Sequence, residues 1–462
     1  MVFSSAISLF FFVPIVFLLD RRLSNVDAKN TWLLLASLVF YSFGQVYYLP
    51  LLLASVALNY VCGRLAAGKY AKLGVTLAVL GGIGLLAVFK YADFAIRTLN
   101  ALCGLSLPLT GIALPIGISF YTFQLISYTV DVYTEKVAYP PAYWKLLLYV
   151  SMFPQLIAGP IVRYVDVAAQ IDARELDSEN IFRGVTRFCI GLGKKVLLAN
   201  QMGAVWSEIY ALGGDVSALM AWTGAIAYTF QIYFDFSGYS DMAIGLGRMF
   251  GFKFPENFRY PYQSVSITDF WRRWHITLST WFKEYLYIPL GGNRCGLARQ
   301  ALNLLIVWSL TGFWHGAGWN FVMWGLYYFV ILFIEKLFLL KALDKLPKLF
   351  RHVYALLLIV IGWVIFASDD VSVLLPYLGS MFGANGAVGG MDVYTLFTKA
   401  VLLIICCVAS TELPKRLFLS ATGAMNEKAA FTIKSVMTIA LLALSMILLI
   451  GDSYNPFLYF RF

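Results

Sequence analysis

No charged residue occurs between Arg299 and Glu335, and His315 lies near the middle of this interval. An apolar stretch of this length is typical of membrane helices, and an ionisable side chain within one is a candidate functional residue. Its 35 residues would form about 52 Å of helix, too short for two full crossings of about 30 Å each. The stretch therefore predicts a broken helical hairpin.

Three glycines, Gly312, Gly316 and Gly318, surround this histidine and predict that the hairpin turns there. Irregular backbone at membrane depth is tolerated only where it is buried in protein or lines a wet cavity, so the turn predicts a cavity around His315. A neutral imidazole is suited to take a proton from a hydroxyl group. The alternative is a core histidine hydrogen-bonded to a neighbouring helix.

The composition is that of an integral membrane protein. Hydrophobic residues make up 60% of the chain and charged residues 13%, whereas soluble domains carry about 25% charged residues. The apolar runs predict an all-α polytopic membrane protein of about ten to twelve transmembrane helices, with shorter re-entrant or interfacial helices. We expect one domain over residues 1–462, whose first apolar run is a membrane span and not a cleavable signal peptide.

The distribution of charge predicts an orientation. The segments 20–30, 64–72, 335–351 and 411–434 are rich in Lys and Arg, whereas 368–393 has three Asp and no basic residue. The positive-inside rule makes the first four cytoplasmic and the last external, so both chain termini are predicted to be external. The net charge of +10 is explained by these loops, and we expect no nucleic-acid partner.

The segment 253–299 is too polar to span a membrane and is predicted to be interfacial or re-entrant. Aromatic and apolar residues recur in it at three- and four-residue steps, which predicts one face of an amphipathic helix: Trp271, Trp274, His275, Leu278 and Trp281. From this spacing alone, His275 is equally compatible with a packed interfacial histidine and with a ligand.

Two acidic residues, Asp235 and Asp241, lie in an apolar context. We interpret them as helix caps, or as part of short re-entrant turns around Ser237 and Gly238, between separate apolar runs at 216–234 and 236–250.

The tail 452–462 is unusually apolar for a chain end and is expected to fold back against the bundle as an external motif. Composition favours a hydrophobic plug, and the functional alternative is that Tyr459 acts as a nucleophile. A phenol has a pKa of about 10 and needs a base such as histidine to assist it.

The six cysteines show no metal-ligand spacing, and the sequence has no nucleotide-binding fingerprint. Neither a metal nor a bound cofactor is therefore expected. The sequence also has no Ser-His-Asp elbow.

Several long sequence blocks, in this order, resemble the membrane-bound O-acyltransferase family, in particular its bacterial branch that modifies polysaccharides. The blocks are LPIGISFYTFQLISYTVDVY (114–133), FPQLIAGPI (153–161), QIYFDFSGYSDMAIGLGRMFGFKFPENF (231–258), FWRRWHITLSTWFKEYLYIPLGGNR (270–294) and GFWHGAGWNF (312–321). The branch includes the membrane subunits of alginate and peptidoglycan O-acetyltransferases and the D-alanyl transferase of teichoic acids.

This resemblance implies a helical bundle around a central tunnel, with a cytoplasmic thioester donor on one side and an external acceptor on the other. It implies that His315 is the essential catalytic residue and that His275 is a second, supporting polar position. The terminal PFLYFRF resembles the tail of the polysaccharide acetylators, which implies that Tyr459 is an acyl carrier.

The expected function is transfer of an acetyl group from a cytoplasmic thioester, expected to be acetyl-CoA, across the bacterial cytoplasmic (inner) membrane. The acceptor would be an exported cell-surface polysaccharide, peptidoglycan or alginate-like. The expected partners are membrane lipid and an external, esterase-like acetyltransferase. The alternatives are D-alanyl transfer from a carrier protein to teichoic acid, a transporter with a histidine proton relay, and a scaffold that docks an external enzyme.

Overall fold

A computed structural model describes residues 3–451 and residue 457. The described residues are largely helical and contain no β-strand. The first helices are α1 (Val13–Arg22), α2 (Val26–Gln45), α3 (Leu49–Ala66), α4 (Ala71–Leu86), α5 (Ala92–Cys103), α6 (Ile118–Tyr133), α7 (Tyr143–Ser151) and α8 (Tyr164–Asp172). They are followed by α9 (Ser178–Gly193), α10 (Asn200–Tyr210), α11 (Ala218–Met249), α12 (Ile267–Trp271), α13 (Ile276–Phe282), α14 (Leu297–His315) and α15 (Trp319–Ile334). The last are α16 (Leu340–Leu343), α17 (Lys348–Ala367), α18 (Val371–Met381), α19 (Asp392–Ala409), α20 (Leu413–Gly423) and α21 (Glu427–Gly451).

Five helical stretches among the described residues are long and apolar enough to cross a membrane: Val26–Ala66, Ala71–Cys103, Lys348–Ala367, Asp392–Ala409 and Glu427–Ile450. The all-helical prediction is confirmed, whereas the number of ten to twelve spans stays a prediction. The arms of the predicted hairpin, α14 and α15, have 19 and 16 residues and thus lengths of about 28 Å and 24 Å. Both are a little shorter than the hydrocarbon core.

The surface of α19 shows why these helices need an apolar solvent. Phe397, Val401 and Ile404 are 80%, 71% and 62% exposed. They are spaced by four and three residues and so form one stripe along the helix. A large exposed apolar stripe is costly in water but favourable in lipid. The chain is therefore a multi-pass membrane protein.

The described chain forms two compact units. The first contains the residues up to Phe188 together with Ser240–Glu256. Its core includes α3 packed on α4, where the Cβ of any residue other than glycine at Gly74 would stand 2.5 Å from a backbone oxygen of α3.

The second unit contains Cys189–Tyr239 and the residues from Asn257 onward. It holds α14, α15 and α17 and has a core of large aromatic side chains, with Trp324, Trp363 and Tyr328 almost fully buried. The prediction of one membrane domain over residues 1–462 stays a prediction.

Two predictions about local structure are wrong. The runs 216–234 and 236–250 are one continuous helix, α11, of 32 residues, with no turn at Gly238. A side chain at Gly238 would meet the backbone oxygen of Gly191 at 2.8 Å, so this glycine permits close packing and does not break the helix.

The predicted amphipathic helix around Trp271 is divided into α12 and α13, because His275 has left-handed backbone angles of φ 44° and ψ 53°. The aromatic residues of the predicted face are nevertheless buried, with Trp274 2% exposed. Apolar spacing predicted the burial of this face correctly and could not reveal the interruption.

Candidate functional site

The site is built on the turn of the hairpin. Helix α14 ends at His315, and α15 begins at Trp319. The intervening Gly316 is extended, and a Cβ there would stand 2.1 Å from Cε2 of Phe321. Within the two arms, a Cβ at Gly312 or Gly325 would stand 2.3 Å or 2.5 Å from a backbone oxygen of the other helix. These glycines let the arms pack closely, and the predicted break at His315 is confirmed.

His315 is 6% exposed and is surrounded by aromatic rings. The edges and faces of Trp314, Trp324 and Phe366 meet its imidazole at centroid distances of 5.0, 5.0 and 5.3 Å, each in a T-shaped arrangement. Aromatic pairs favour such edge-to-face contacts, each of which contributes about 0.5–1.5 kcal/mol beyond the buried area. The imidazole is thus held at the helix end in one orientation. Access to it from the two sides of the membrane stays a prediction.

The second histidine is held by a polar clamp. The ring Nδ1 of His275 lies 3.0 Å from Oδ1 of Asn257, and the same oxygen accepts hydrogen bonds from the backbone N–H (3.3 Å) and the hydroxyl (2.9 Å) of Thr277. The backbone carbonyl of Asn257 also accepts from the N–H of Ile276 (3.0 Å). A left-handed conformation costs a non-glycine residue about 1–3 kcal/mol, and these bonds stabilise it at His275.

The environment of His275 keeps its imidazole neutral. The side chain is 1% exposed, and Phe236 meets it edge-on at a centroid distance of 4.7 Å. Burial lowers the pKa of His275 well below its ordinary value, and the charge that His315 would carry lowers it further. An imidazole that stays neutral accepts or donates one hydrogen bond at each nitrogen and carries no charge.

Both histidine rings lie close to the indole ring of Trp314. The ring of Trp314 lies 5.9 Å from His275 and 5.0 Å from His315 by centroids, although the histidines are 40 residues apart in the sequence. The structure therefore brings together two of the three residues that the sequence singled out. The third, Tyr459, lies outside the described residues, and its neighbour in the tail, Phe457, is buried.

The segment that carries His275 is anchored by a buried carboxylate. Glu335 is fully buried and accepts hydrogen bonds from the backbone N–H groups of Ile267 (2.7 Å) and Thr268 (2.8 Å). It also accepts from the hydroxyls of Thr268 (2.6 Å) and Tyr354 (3.1 Å). Two of the donors are N–H groups at the start of α12, which have no partner within a helix. Sequence reasoning used Glu335 only as the charge that ends the apolar stretch.

Residues 85–366, which include both histidines, match the family model of the membrane-bound O-acyltransferases. The chain belongs to this family. It is therefore an acyltransferase, and the alternative of a transporter is not supported.

Curated relatives of this acyltransferase refine the comparison. The probable alginate O-acetylase AlgI of Azotobacter vinelandii is 38% identical, with 100% of each chain covered. The peptidoglycan O-acetyltransferase of Helicobacter pylori is 37% identical over 84% of this chain and 80% of the relative. The teichoic acid D-alanyltransferase of Bacillus subtilis is 27% identical over 48% of this chain and 60% of the relative.

The acyltransferase also contains ion pairs that sequence reasoning missed, of which one is buried. Nζ of Lys195 lies 2.5 Å from Oδ1 of Asp235, and both side chains are 4% exposed. In the other unit, Arg187 contacts Asp241 at 2.8 Å and Glu256 at 2.5 Å. The interpretation of the two aspartates as caps or turn residues is therefore wrong, because each is paired within a continuous helix.

Two further observations concern metal binding and the third histidine of the chain. Among the described residues, no group of three or more His, Cys, Asp or Glu side chains is placed to hold a metal ion. His352 is partly buried, and its Nδ1 lies 2.9 Å from the carbonyl oxygen of Ser264. A carbonyl oxygen only accepts, so this nitrogen donates.

Proposed function

We propose that this chain transfers an acetyl group from a cytoplasmic thioester, acetyl-CoA, towards a hydroxyl group of an exported cell-surface polysaccharide of the peptidoglycan or alginate type. The observation that carries the proposal is the pair of buried imidazoles, His315 and His275, whose ring centroids lie 5.0 Å and 5.9 Å from that of Trp314. The acetyl group is favoured because the two O-acetyl-transferring relatives match 84–100% of this chain.

His315 is the general base in this proposal. Its imidazole takes the proton of an attacking hydroxyl group as the oxygen forms a bond to the thioester carbonyl carbon. The tetrahedral intermediate then collapses, the carbon–sulfur bond breaks, and the thiolate of coenzyme A leaves. The imidazolium returns its proton to this thiolate, so His315 ends neutral and no redox partner is needed. His275 contributes a fixed polar group on the donor side.

Tyr459 is the first acceptor in this proposal. Its phenol oxygen receives the acetyl group, and the resulting aryl ester is less activated than a thioester but more activated than a sugar ester. An external, esterase-like partner protein then catalyses attack by a polysaccharide hydroxyl on this ester, and the phenol regains its proton. The match of the family model ends at residue 366, so this step rests on the resemblance of the terminal PFLYFRF to the tail of the polysaccharide acetylators.

The placement of the protein follows from its charge. The basic loops and the acidic segment 368–393 support a cytoplasmic donor side and external termini through the positive-inside rule. The chain thus resides in the bacterial cytoplasmic membrane, in contact with lipid, and hands its product to a partner on the outer face.

The test uses the full chain, purified in detergent, with acetyl-CoA labelled in its acetyl group. Transfer is followed by mass spectrometry of the C-terminal peptide and by release of the free thiol. Replacing His315 by Ala should lower transfer by about 100- to 10,000-fold, the usual contribution of a general base. The matched control is His352→Gln, which keeps a side-chain donor in the third histidine position and should retain transfer. Normal transfer by the His315 variant would refute the assignment.

The relay step has its own test. Replacing Tyr459 by Phe removes one oxygen and little apolar area, and it should abolish the acetylated form of the C-terminal peptide without affecting the amount of folded protein. An acetylated C-terminal peptide in this variant would refute the relay while leaving the role of His315 in place.

D-alanyl transfer is the second candidate, favoured by the similarity to the Bacillus subtilis teichoic acid D-alanyltransferase over about half of the chain. The two candidates differ in the donor. Wild-type protein incubated separately with acetyl-CoA and with a D-alanyl carrier-protein thioester should consume the first and not the second. The opposite result would replace the proposed function by D-alanyl transfer.

A further inference from the structure

The clamp around His275 determines which of its nitrogens carries the hydrogen. The backbone N–H of Thr277 can only donate, and it points at the side-chain amide of Asn257 with a distance of 3.3 Å. The atom facing it must therefore be the carbonyl oxygen of that amide and not its nitrogen. The Nδ1 of His275 contacts this same oxygen at 3.0 Å, so Nδ1 must be the donor.

The other nitrogen is consequently an acceptor. A neutral imidazole carries one N–H, so a hydrogen on Nδ1 leaves a lone pair on Nε2. Within the part of the chain that the structure describes, Nε2 of His275 is buried and has no hydrogen-bond partner. A buried polar atom in this state is costly and is a candidate for contact with a substrate.

We infer that Asn257 is a positioning residue: it holds His275 in the Nδ1–H form, so that Nε2 accepts a hydrogen bond from an N–H or O–H group of the substrate. This inference rests on the proposed function, since it assigns the second histidine of the same site. The amide N–H of the thioester arm is such a donor. The attacking hydroxyl group has a single hydrogen, which His315 takes in the proposed function, so it has none to donate to Nε2.

The neighbours of His275 agree with a neutral acceptor. The rings that face it, Phe236, Phe258 and Trp314, do not titrate. His315 is the titratable group that acts on it, and burial together with this neighbour lowers the pKa of His275. The adjacent Arg273 is paired with an aspartate of its own helix turn at 2.9 Å.

The first experiment is nitrogen NMR of the full chain, labelled in its histidine rings and placed in lipid nanodiscs. The chain has three histidines, and His275→Asn identifies the signals of His275. We expect one N–H nitrogen and one bare nitrogen at neutral pH, with the Cδ2 carbon shift of the Nδ1–H form. An Nε2–H form in the wild-type protein overturns the inference. This measurement needs no substrate, so it stands even if the protein transfers no acetyl group and the proposed function fails.

Three variants then test the positioning role. Asn257→Ala should allow both the Nδ1–H and the Nε2–H form of His275 and lower kcat/KM for acetyl transfer about 10- to 100-fold. A metal-binding histidine that loses its hydrogen-bond partner shows an effect of this size. Asn257→Asp should keep Nδ1–H but raise the pKa of His275, because a carboxylate favours the imidazolium. Its activity should then require a higher pH than that of the wild type. The matched control, Thr277→Val, removes a hydroxyl but keeps the backbone donor, and it should retain the Nδ1–H form.

The outcomes are distinguishable. If Asn257→Ala folds and keeps a pure Nδ1–H form with unchanged kcat/KM, the inference is wrong. If that variant does not fold, Asn257→Asp decides, and an unshifted pH profile overturns the inference. Two small donors then identify the substrate group. These are the acetyl thioester of N-acetylcysteamine, which has an amide N–H, and that of butanethiol, which lacks it. A defect confined to the first supports the thioester amide as the group that donates to Nε2, and an equal defect with both overturns that assignment.

Discussion

The carboxylate of Glu335 offers the sharpest test of how the hairpin positions the segment of His275. Replacing it by Gln keeps the size of the side chain but leaves one acceptor oxygen in place of two. In either orientation of the amide, its NH₂ group faces the N–H of Ile267 or that of Thr268, and this N–H then has no acceptor there. A hydrogen bond to a charged group contributes about 1.5–3 kcal/mol. We therefore expect the start of α12 to lose about 2 kcal/mol of local stability.

Hydrogen–deuterium exchange with mass spectrometry measures this loss directly. Since 1.4 kcal/mol corresponds to a factor of ten, 2 kcal/mol corresponds to about 30-fold faster exchange in a peptide that covers the start of α12. The same variant should transfer acetyl groups more slowly, because α12 leads directly into the segment of His275.

The matched control is Glu427→Gln, which removes an exposed carboxylate at the start of α21. It should leave exchange at α12 unchanged. If Glu335→Gln also leaves exchange at α12 unchanged, the carboxylate does not stabilise this helix start, and our reasoning about the anchor fails.

Three further predictions concern packing, charge and pH. Gly316→Ala should destabilise the hairpin by about 1–3 kcal/mol, because its Cβ would stand 2.1 Å from Phe321; exchange at the turn and the transfer rate report this. Lys195→Met or Asp235→Asn should each cost about 3–5 kcal/mol by leaving a buried group uncompensated, whereas Lys195→Met with Asp235→Leu should recover most of the loss; thermal unfolding in detergent distinguishes these variants, and equal losses in all three would contradict a pair. Because burial lowers the pKa of His275, the unfolded chain binds a proton that the folded chain does not, so stability should fall as the pH drops below about 6.5; His275→Gln should flatten that dependence.

Local sequence determined the features that depend on composition and short spacing. The uncharged stretch around His315 predicted a hairpin shorter than two crossings, and its glycines predicted the break, because glycine alone fits where the arms touch. The three- and four-residue spacing of Trp271 and Trp274 predicted a buried face, since apolar side chains of that period share one side of a helix. The same spacing gave no sign of the left-handed residue at His275 that divides the helix.

The partners of the site residues were decided only by the tertiary structure. Asn257 contacts His275 across 18 residues, and Thr268 donates to Glu335 across 67. Lys195 pairs with Asp235 across 40 residues. This partner stabilises a buried aspartate within α11, an apolar helix that the sequence alone predicted as two separate runs. Residue spacing predicts side-chain contacts only within a turn or two of one helix. Contacts between residues further apart in the sequence depend on the path of the backbone. A histidine in an apolar run can thus be found from the sequence, but the indole and the amide that orient its companion appear only once the helices have packed.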